Sequence, residues 1–429
     1  MNMKPATQKI RIGDCLSYVV DNRGKTPPLS DAGYELIEVN AIGGTERSVD
    51  YGVIRKYVSE ETYQNWFRKG HPEIGDTLIS TVGAIGRVAF FMRQRGCIAQ
   101  NVIAMRPNRN VVDPEFFYYL LKSPAVQDRI QSLNIGVAQP SLKVPHLLDY
   151  EIEILARERQ GEASRILSAY DDLIENNTRR IEILEEMARR LYEEWFVHFR
   201  FPGHEEVSFK ESELGRIPEN WEVATLESVC DRITDGAHKS PPKAEVGKPM
   251  ASVKDMHNWG IDLSKCRRIS EEDYADLVRN NCKPLPGDVL IAKDGSYLKH
   301  SFVMEKEVDL VLLSSIAILR PNNEIAPNLL ALTLQHPDNV VRMKGFVSGV
   351  AIPRIILKDF RKFKIILPPA HIQKSWSLIA DPMMTLCRRL VDKNANLRAQ
   401  RDLLLPKLVS GEIDVSDIPM PDDKEVEAA

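Results

Sequence analysis

The sequence lacks most of the features that would announce an enzyme or a membrane protein. No apolar run approaches the roughly 20 residues that a bilayer-spanning helix needs, so no membrane attachment is expected. Met1 to Ile12 is polar and basic with no hydrophobic stretch, which predicts no secretory signal. The six cysteines, at 15, 97, 230, 266, 282 and 387, are scattered. None forms a C-x-x-C pair or stands beside a histidine at ligand spacing, the pattern of reduced thiols in a cytoplasmic protein. There is no G-x-x-x-x-G-K-S/T phosphate loop, no G-x-G-x-x-G fingerprint and no H-E-x-x-H pair. The nine histidines are dispersed, and His71, His204, His300 and His336 read as loop residues rather than metal ligands. Asp288, Lys293 and Asp294 have the residue types of a metal-dependent nuclease. The corresponding stretch earlier in the chain offers only Asp76 with Thr81 and Val82, so Asp76 and Asp288 are expected to shape a turn before a strand.

Excess positive charge is also missing. The formal net charge is −4, yet Glu412 to Ala429 alone carries seven acids and one lysine. The rest of the chain is therefore slightly basic, and residues 231–365 hold 21 Lys/Arg against 17 Asp/Glu. Composition permits nucleic-acid binding without demanding it.

What is present is one unit written twice. Gly75-Asp76-Thr77-Leu78-Ile79 with Gly83 recurs 212 residues later as Gly287-Asp288-Val289-Leu290-Ile291 with Gly295. Ser59-Glu60-Glu61 before Tyr63 recurs as Ser270-Glu271-Glu272 before Tyr274. Asp21, Lys25, Thr26, Pro27 and Pro28 are answered by Asp235, Lys239, Ser240, Pro241 and Pro242. Asn101 to Asn108 is answered by Ser315 to Asn322, and Gly136-Val137-Ala138 with Pro140 by Gly349-Val350-Ala351 with Pro353. Five blocks in one order at nearly one offset mark an internal duplication. A length of 429 residues suits two or three domains.

Each copy divides into a globular part and a long helical part. In the first, Thr77 to Val82, Arg87 to Met92, Ile98 to Arg106 and Tyr150 to Leu155 read as strands. Asp113-Pro114 opens a helix over Glu115 to Lys122, and Pro124 interrupts it. In the second, strands are expected near Val289 to Lys293, Leu310 to Leu319 and Phe363 to Leu367, with Pro327 opening the matching helix. The fold class is α/β (α+β) for two tandem globular domains. Gly83-Ala84-Ile85-Gly86 reads as a tight turn between strands, and glycine there permits close approach of backbone to phosphate.

The helical parts run from Arg157 to about Phe199 and from 369 to 411. Ile166, Tyr170, Leu173, Ile181, Leu184, Ala188, Leu191 and Trp195 recur at 3–4 spacing. Ile379, Met383, Leu386, Leu390, Leu397, Leu404 and Leu408 do the same in the second helix. The narrow stripe is that of a coiled-coil seam, with Asn177, Asn394 and Arg401 as polar seam positions that fix register. A helix of some 40 residues is about 60 Å long, more than one small domain can cover. The two helices are therefore expected to pair antiparallel between the domains in a pseudo-twofold arrangement. The alternative is that each helix packs only on its own domain. The expected boundaries are 1–155 and 221–368 for the domains, 156–200 and 369–411 for the spacer helices, 201–220 for a linker and 412–429 for a flexible acidic tail.

DNA contacts are expected from basic and polar residues on loops. In the first domain these are Arg23, Lys25, Arg47, Arg87, Gln139 and Lys143. In the second they are Lys239, Lys254, His257, Trp259, Lys293, Lys299, His300 and Arg354. Lysine and arginine would neutralise phosphates, while Arg and Gln could read base edges. A solvated mixed surface is the alternative for each residue singly.

The chain resembles the specificity subunits of type I restriction-modification systems. The likeness rests on Gly75 to Ser80 through Gly83 to Ala89, on Leu214-Gly215-Arg216-Ile217-Pro218-Glu219-Asn220-Trp221, on Pro286 to Gly295 and on Lys407-Leu408-Val409-Ser410-Gly411. It spans about residues 8–415. The resemblance implies a non-catalytic, cytoplasmic DNA reader from a bacterium or archaeon. Each domain would recognise one half of a bipartite double-stranded site. The helices, with Ile166, Leu173, Leu184, Leu191, Ile379, Leu386, Leu397 and Leu404 in their seam, would separate the halves and dock two methyltransferase subunits. Those partners would use S-adenosylmethionine, and restriction/translocase subunits would add ATP- and Mg-dependent cleavage. The chain itself would hold no cofactor or metal. One departure is visible: Ser296 to His300 replaces the Ala84 to Arg87 pattern, so contacts do not transfer between domains. Without the resemblance, a tandem-domain protein-binding adaptor would fit the same residues.

Overall fold

The duplication of sequence becomes a duplication of topology. The computed structural model describes residues 7–44, 46–135, 140–295, 300–349 and 353–415. The chain forms two compact units, one of residues 1–177 with 393–429 and the other of residues 178–392.

In unit one a four-stranded antiparallel sheet has the order Leu16–Val20, Val102–Pro107, Thr77–Ser80, Val88–Phe90. Beside it lies a three-stranded sheet, Tyr57–Val58, Tyr34–Ile37, Cys97–Ile98, with one antiparallel and one parallel pairing. Thr7–Arg11 pairs with Glu151–Leu155. Unit two repeats all three. Its sheets are Cys230–Asp235, Ile316–Pro321, Val289–Ala292, Ser301–Val303; Arg267–Ile269, Lys248–Ala251, Val311–Leu312; and Glu222–Thr225 with Lys364–Leu367. The expected strand 98–106 is two strands serving different sheets. The Val102 amide donates to Ala99 O and turns the chain between them. Strand 310–319 divides in the same way.

Asp113 caps the helix Pro114–Lys122 by accepting from the Phe116 amide, with Pro114 at the first position. Six consecutive residues, Phe116 to Leu121, are buried, as befits a helix packed on both sides. Pro124 does more than interrupt: it opens a second helix, Pro124–Ser132.

The long helices are Arg157–Tyr192, closing in a widened turn at Glu193–Val197, and Ala370–Val409. Phe199, at φ 57°, stops the first. Within unit one Asp171 pairs with Arg401, and Asn177 Nδ2 donates to Asn394 Oδ1 at 2.9 Å. Within unit two Cys387 lies against Ile181 and Trp376 against Phe196. Numbers rise on one helix as they fall on the other, so the pairing is antiparallel in each unit. The core of unit one takes in Leu405, Leu408 and Val409 from the end of the second helix, and Val415 just past it. The core of unit two takes in Tyr192, Trp195 and Phe196 from the end of the first, and Phe201 just past it.

Three expectations need correction. Leu173 is 47% and Ile379 44% exposed, so neither lies in the buried seam of the chain. Ile166, Leu184, Leu191, Leu386, Leu397 and Leu404 are half-buried, while Leu167, Asp171, Ile174, Asn177, Met384 and Asn394 are buried. The first helix also faces its own domain, where Tyr119 donates to Asp171, and this rotates the buried stripe off the aliphatic one. Secondly, the linker 201–220 has structure of its own. Phe209–Ser212 and Gly215–Pro218 form a hairpin, and Phe201 stacks on Trp221 at 5.3 Å. Thirdly, the tail begins packed. Val415 is buried, and Asp414 meets Arg159 at 3.1 Å. Residues 416–429 lie outside the described residues.

Candidate nucleic-acid interface

The duplicated motifs turn out to be bonded to one another. Asp76 of the Gly-Asp motif sits 3.1 Å from the guanidinium of Arg106, which belongs to the Asn101 to Asn108 block. Asp288 and Arg320 repeat this pair at 2.7 Å. Each aspartate also accepts a backbone amide three residues earlier, from Glu73 and from Leu285. The carboxylates therefore shape the turn before the strand and are buried there.

The glycine turn meets the loop that ends in proline. The Gly83 amide donates to Pro140 O at 2.9 Å, and the Gly295 amide to Pro353 O at 2.8 Å. Leu142 N donates to Thr81 O, and Ile355 N to Lys293 O. Nothing lies within 4 Å of where a Cβ would stand on Gly83 or Gly295, so both turns face open space. Gly86 is different. A Cβ there would come 2.9 Å from Ile130, and the side chains of Gln127 and Gln131 hold the Gly86 and Ile85 carbonyls.

Strand register places a third loop at the same end of each sheet. Val20 is opposite Ala104 and Ser80 opposite Val102. The segment from Asp21 therefore leaves the sheet beside the glycine turn. In unit two Asp235 is opposite Ala317 and Ala292 opposite Ile316. Each lobe thus presents a cluster of three features at one sheet end: an Asp-to-Lys loop, a glycine turn and the chain at Pro140 or Pro353.

The expected contact residues divide on this frame. Lys25 and Lys239 are exposed on the first loop. Arg23 sits on that loop too but is bonded to Asp21, Nε and Nη2 each 2.7 Å from its carboxylate. Burial would raise the Asp21 carboxyl, and the Arg23 bonds outweigh it and hold the group below the usual range. Arg87 is exposed at the glycine turn, its guanidinium reaching Val39 O at 3.4 Å. Lys143 is exposed at the start of the helix Val144–Leu148, just past the proline-ended loop. Arg354 is exposed next after Pro353, at the position matching Ser141, and lies 3.2 Å from Asp294. Lys254 is exposed on the turn Val253–Asp255, and His300 Nδ1 lies 2.9 Å from Asn258 Oδ1. Gln139 and Lys299 lie outside the described residues.

Four expectations are overturned. Arg47 is 4% exposed and faces Asp172, Glu175 and Glu115, so it fastens the domain to the helix. Lys293 is 5% exposed and meets Asp235 at 2.6 Å, joining the glycine turn to the first loop from inside. Trp259 donates through Nε1 to Glu185 of the long helix. His257 is half-buried and accepts from the Trp259 amide, and burial pushes its imidazole below the usual range. Pattern reading took Arg47, His257 and Trp259 for surface because they stand in polar loops, and Lys293 because it closes a strand. His238, exposed beside Lys239 and 3.2 Å from Asp235, was missed, although it falls inside a duplicated block.

Among the described residues no group of three or more His, Cys, Asp or Glu is placed to hold a metal ion, and no helix is long and apolar enough to cross a membrane.

The family model for the type I restriction modification DNA specificity domain matches the chain twice, over residues 8–186 and 218–395. The chain is 26% identical over 360 residues to the type I restriction enzyme MjaIX specificity subunit of Methanocaldococcus jannaschii, covering 80% of this chain and 79% of that one. It is 26% identical over 418 residues to the MjaVIII specificity subunit of the same organism, covering 95% and 93%. The crystal structure of the type I restriction-modification S subunit from M. genitalium shares the fold, with a TM-score of 0.56 at 19% identity, over 95% of this chain and 97% of that one. Two matches to one family model, each taking in one lobe and most of the long helix behind it, show that the chain belongs to the family of type I restriction-modification specificity subunits.

Proposed function

We propose that this chain is the non-catalytic reader of a bipartite double-stranded DNA site, with one half-site for the domain at 1–155 and the other for the domain at 221–368. The observation that carries this reading is the loop cluster at the end of each central sheet. It is built twice by the same hydrogen bonds and carries Lys25, Arg87 and Lys143 in one lobe and Lys239 and Arg354 in the other. Exposed cations at the rim would neutralise phosphates and set register, and the open glycine turns let backbone amides approach the duplex.

The long helices would set the gap between the half-sites and dock two methyltransferase subunits that bring S-adenosylmethionine. Restriction/translocase subunits that use ATP and Mg would complete a cytoplasmic assembly. The exposed apolar side chains of Leu173, Ile183, Met187, Leu378 and Ile379 on these helices support a docking role for them. Titration of duplex DNA with the chain and its methyltransferase, across a series of salt concentrations, tests the reading. A steep linear fall of log affinity with log salt is expected, because phosphate contacts release counterions. A flat dependence would contradict it.

A further inference from the structure

The long helices carry one site at which the two units have opposite chemistry. A shift of 213 residues takes Glu115, Asp172 and Glu175 of unit one onto Asn328, Thr385 and Arg388 of unit two. In unit one the three carboxylates surround a guanidinium supplied by the globular domain. Arg47 pairs with Asp172 and lies 3.4 Å from Glu175 and 3.6 Å from Glu115. In unit two the helix supplies the guanidinium. Arg388 pairs with Glu305 of the domain and donates to Asn328 Oδ1 at 2.8 Å. The Thr385 hydroxyl donates to the same Glu305 at 2.9 Å. Trp259 stands one residue from the counterpart of Arg47. Its ring covers the Arg388 guanidinium at 5.5 Å, and its Nε1–H is held by Glu185.

We propose that these positions form a docking key that decides which globular domain each helix stem accepts. Both guanidiniums are buried, so each depends on the carboxylates around it, and a like charge brought against the half-buried Glu175 or Glu305 is only partly screened by water. Domain two carried onto the first stem would set Glu305 against Asp172 and Glu175 with no cation between them. Domain one carried onto the second stem would bring Arg47 to Arg388 and strip it of two of its three carboxylates. A neutral contact would let either domain sit on either stem, whereas the inverted charges reject the wrong one. Arg47, Glu305, Asp172, Glu175 and Arg388 are positioning residues. The inference goes beyond DNA reading and does not depend on it.

The test is a full chain in which residues 221–368 also replace residues 8–155. Amide exchange of the first stem, residues 168–177, reports docking without DNA. Exchange there is expected to quicken about tenfold or more over the native chain, and D172T/E175R in the same chimera to bring it back. Equal exchange with and without those two substitutions overturns the proposal. If neither chimera folds, the native chain decides. R388E should speed exchange of residues 300–306 by about tenfold, and the swap E305R/R388E should restore it. A double variant that exchanges as fast as the single one overturns the key.

Discussion

Unit one closes its core around an aliphatic helix end, and unit two around an aromatic one. Leu405, Leu408 and Val409 form the first end, and Tyr192, Trp195 and Phe196 form the second. By contrast, the hydrogen bonds of the loop cluster are the same in both. So are the buried glutamines that start the long helices: Gln160 Oε1 accepts from the Asp113 amide, and Gln373 Oε1 from the Ala326 amide. The difference separates two kinds of constraint. A bond to a backbone amide fixes a turn and admits few substitutes, whereas apolar packing tolerates any set of side chains that fills the volume.

Substitutions can sharpen that contrast. The largest effect is expected from Trp221→Ala, which should cost about 4 kcal/mol in urea unfolding, with Leu408→Ala costing about 3 kcal/mol in the aliphatic counterpart. Equal costs would mean that the aromatic cluster adds nothing. Asp76→Ala and Asp288→Ala each leave a guanidinium and an amide without their carboxylate. Each should cost about 3 kcal/mol, by the same amount in both units. A twofold difference would show that the shared bonds are not equivalent. Asn177→Leu alone removes the donor to Asn394 Oδ1 and should cost about 1–2 kcal/mol, while N177L/N394L should be close to neutral in thermal unfolding. Smallest in stability terms are Lys25→Ala and Lys239→Ala. Each should leave folding unchanged and lower the salt slope of DNA binding by about 1.

Much of this was legible in the sequence because duplication supplies an internal control. The repeated blocks marked the Gly-Asp turn and the segments Asn101 to Asn108 and Gly136 to Pro140 as shared features. The Asp113-Pro114 start was plain from its capping chemistry. What was hidden was partnership across the fold. Arg106 and Arg320 stood in the repeats as unremarked cations, yet they neutralise the buried aspartates. Arg47 and Lys293 carry the residue types of phosphate contacts, and only tertiary structure shows each enclosed by carboxylates. The seam failed at Leu173 and Ile379 because burial follows what a helix packs against, and the first helix packs on a domain as well as on its partner. A buried Asp171 paired with Arg401 is invisible to a search for apolar periodicity.

The central claim is that each lobe reads its own half-site. It is tested most directly by selecting bound sequences from random duplex DNA with the methyltransferase-bound chain. The selection is then repeated after residues 8–155 are exchanged for the corresponding domain of another family member. One half-site should change while the other half and the gap stay as they were. Simultaneous change of both halves, or of neither, would contradict the account.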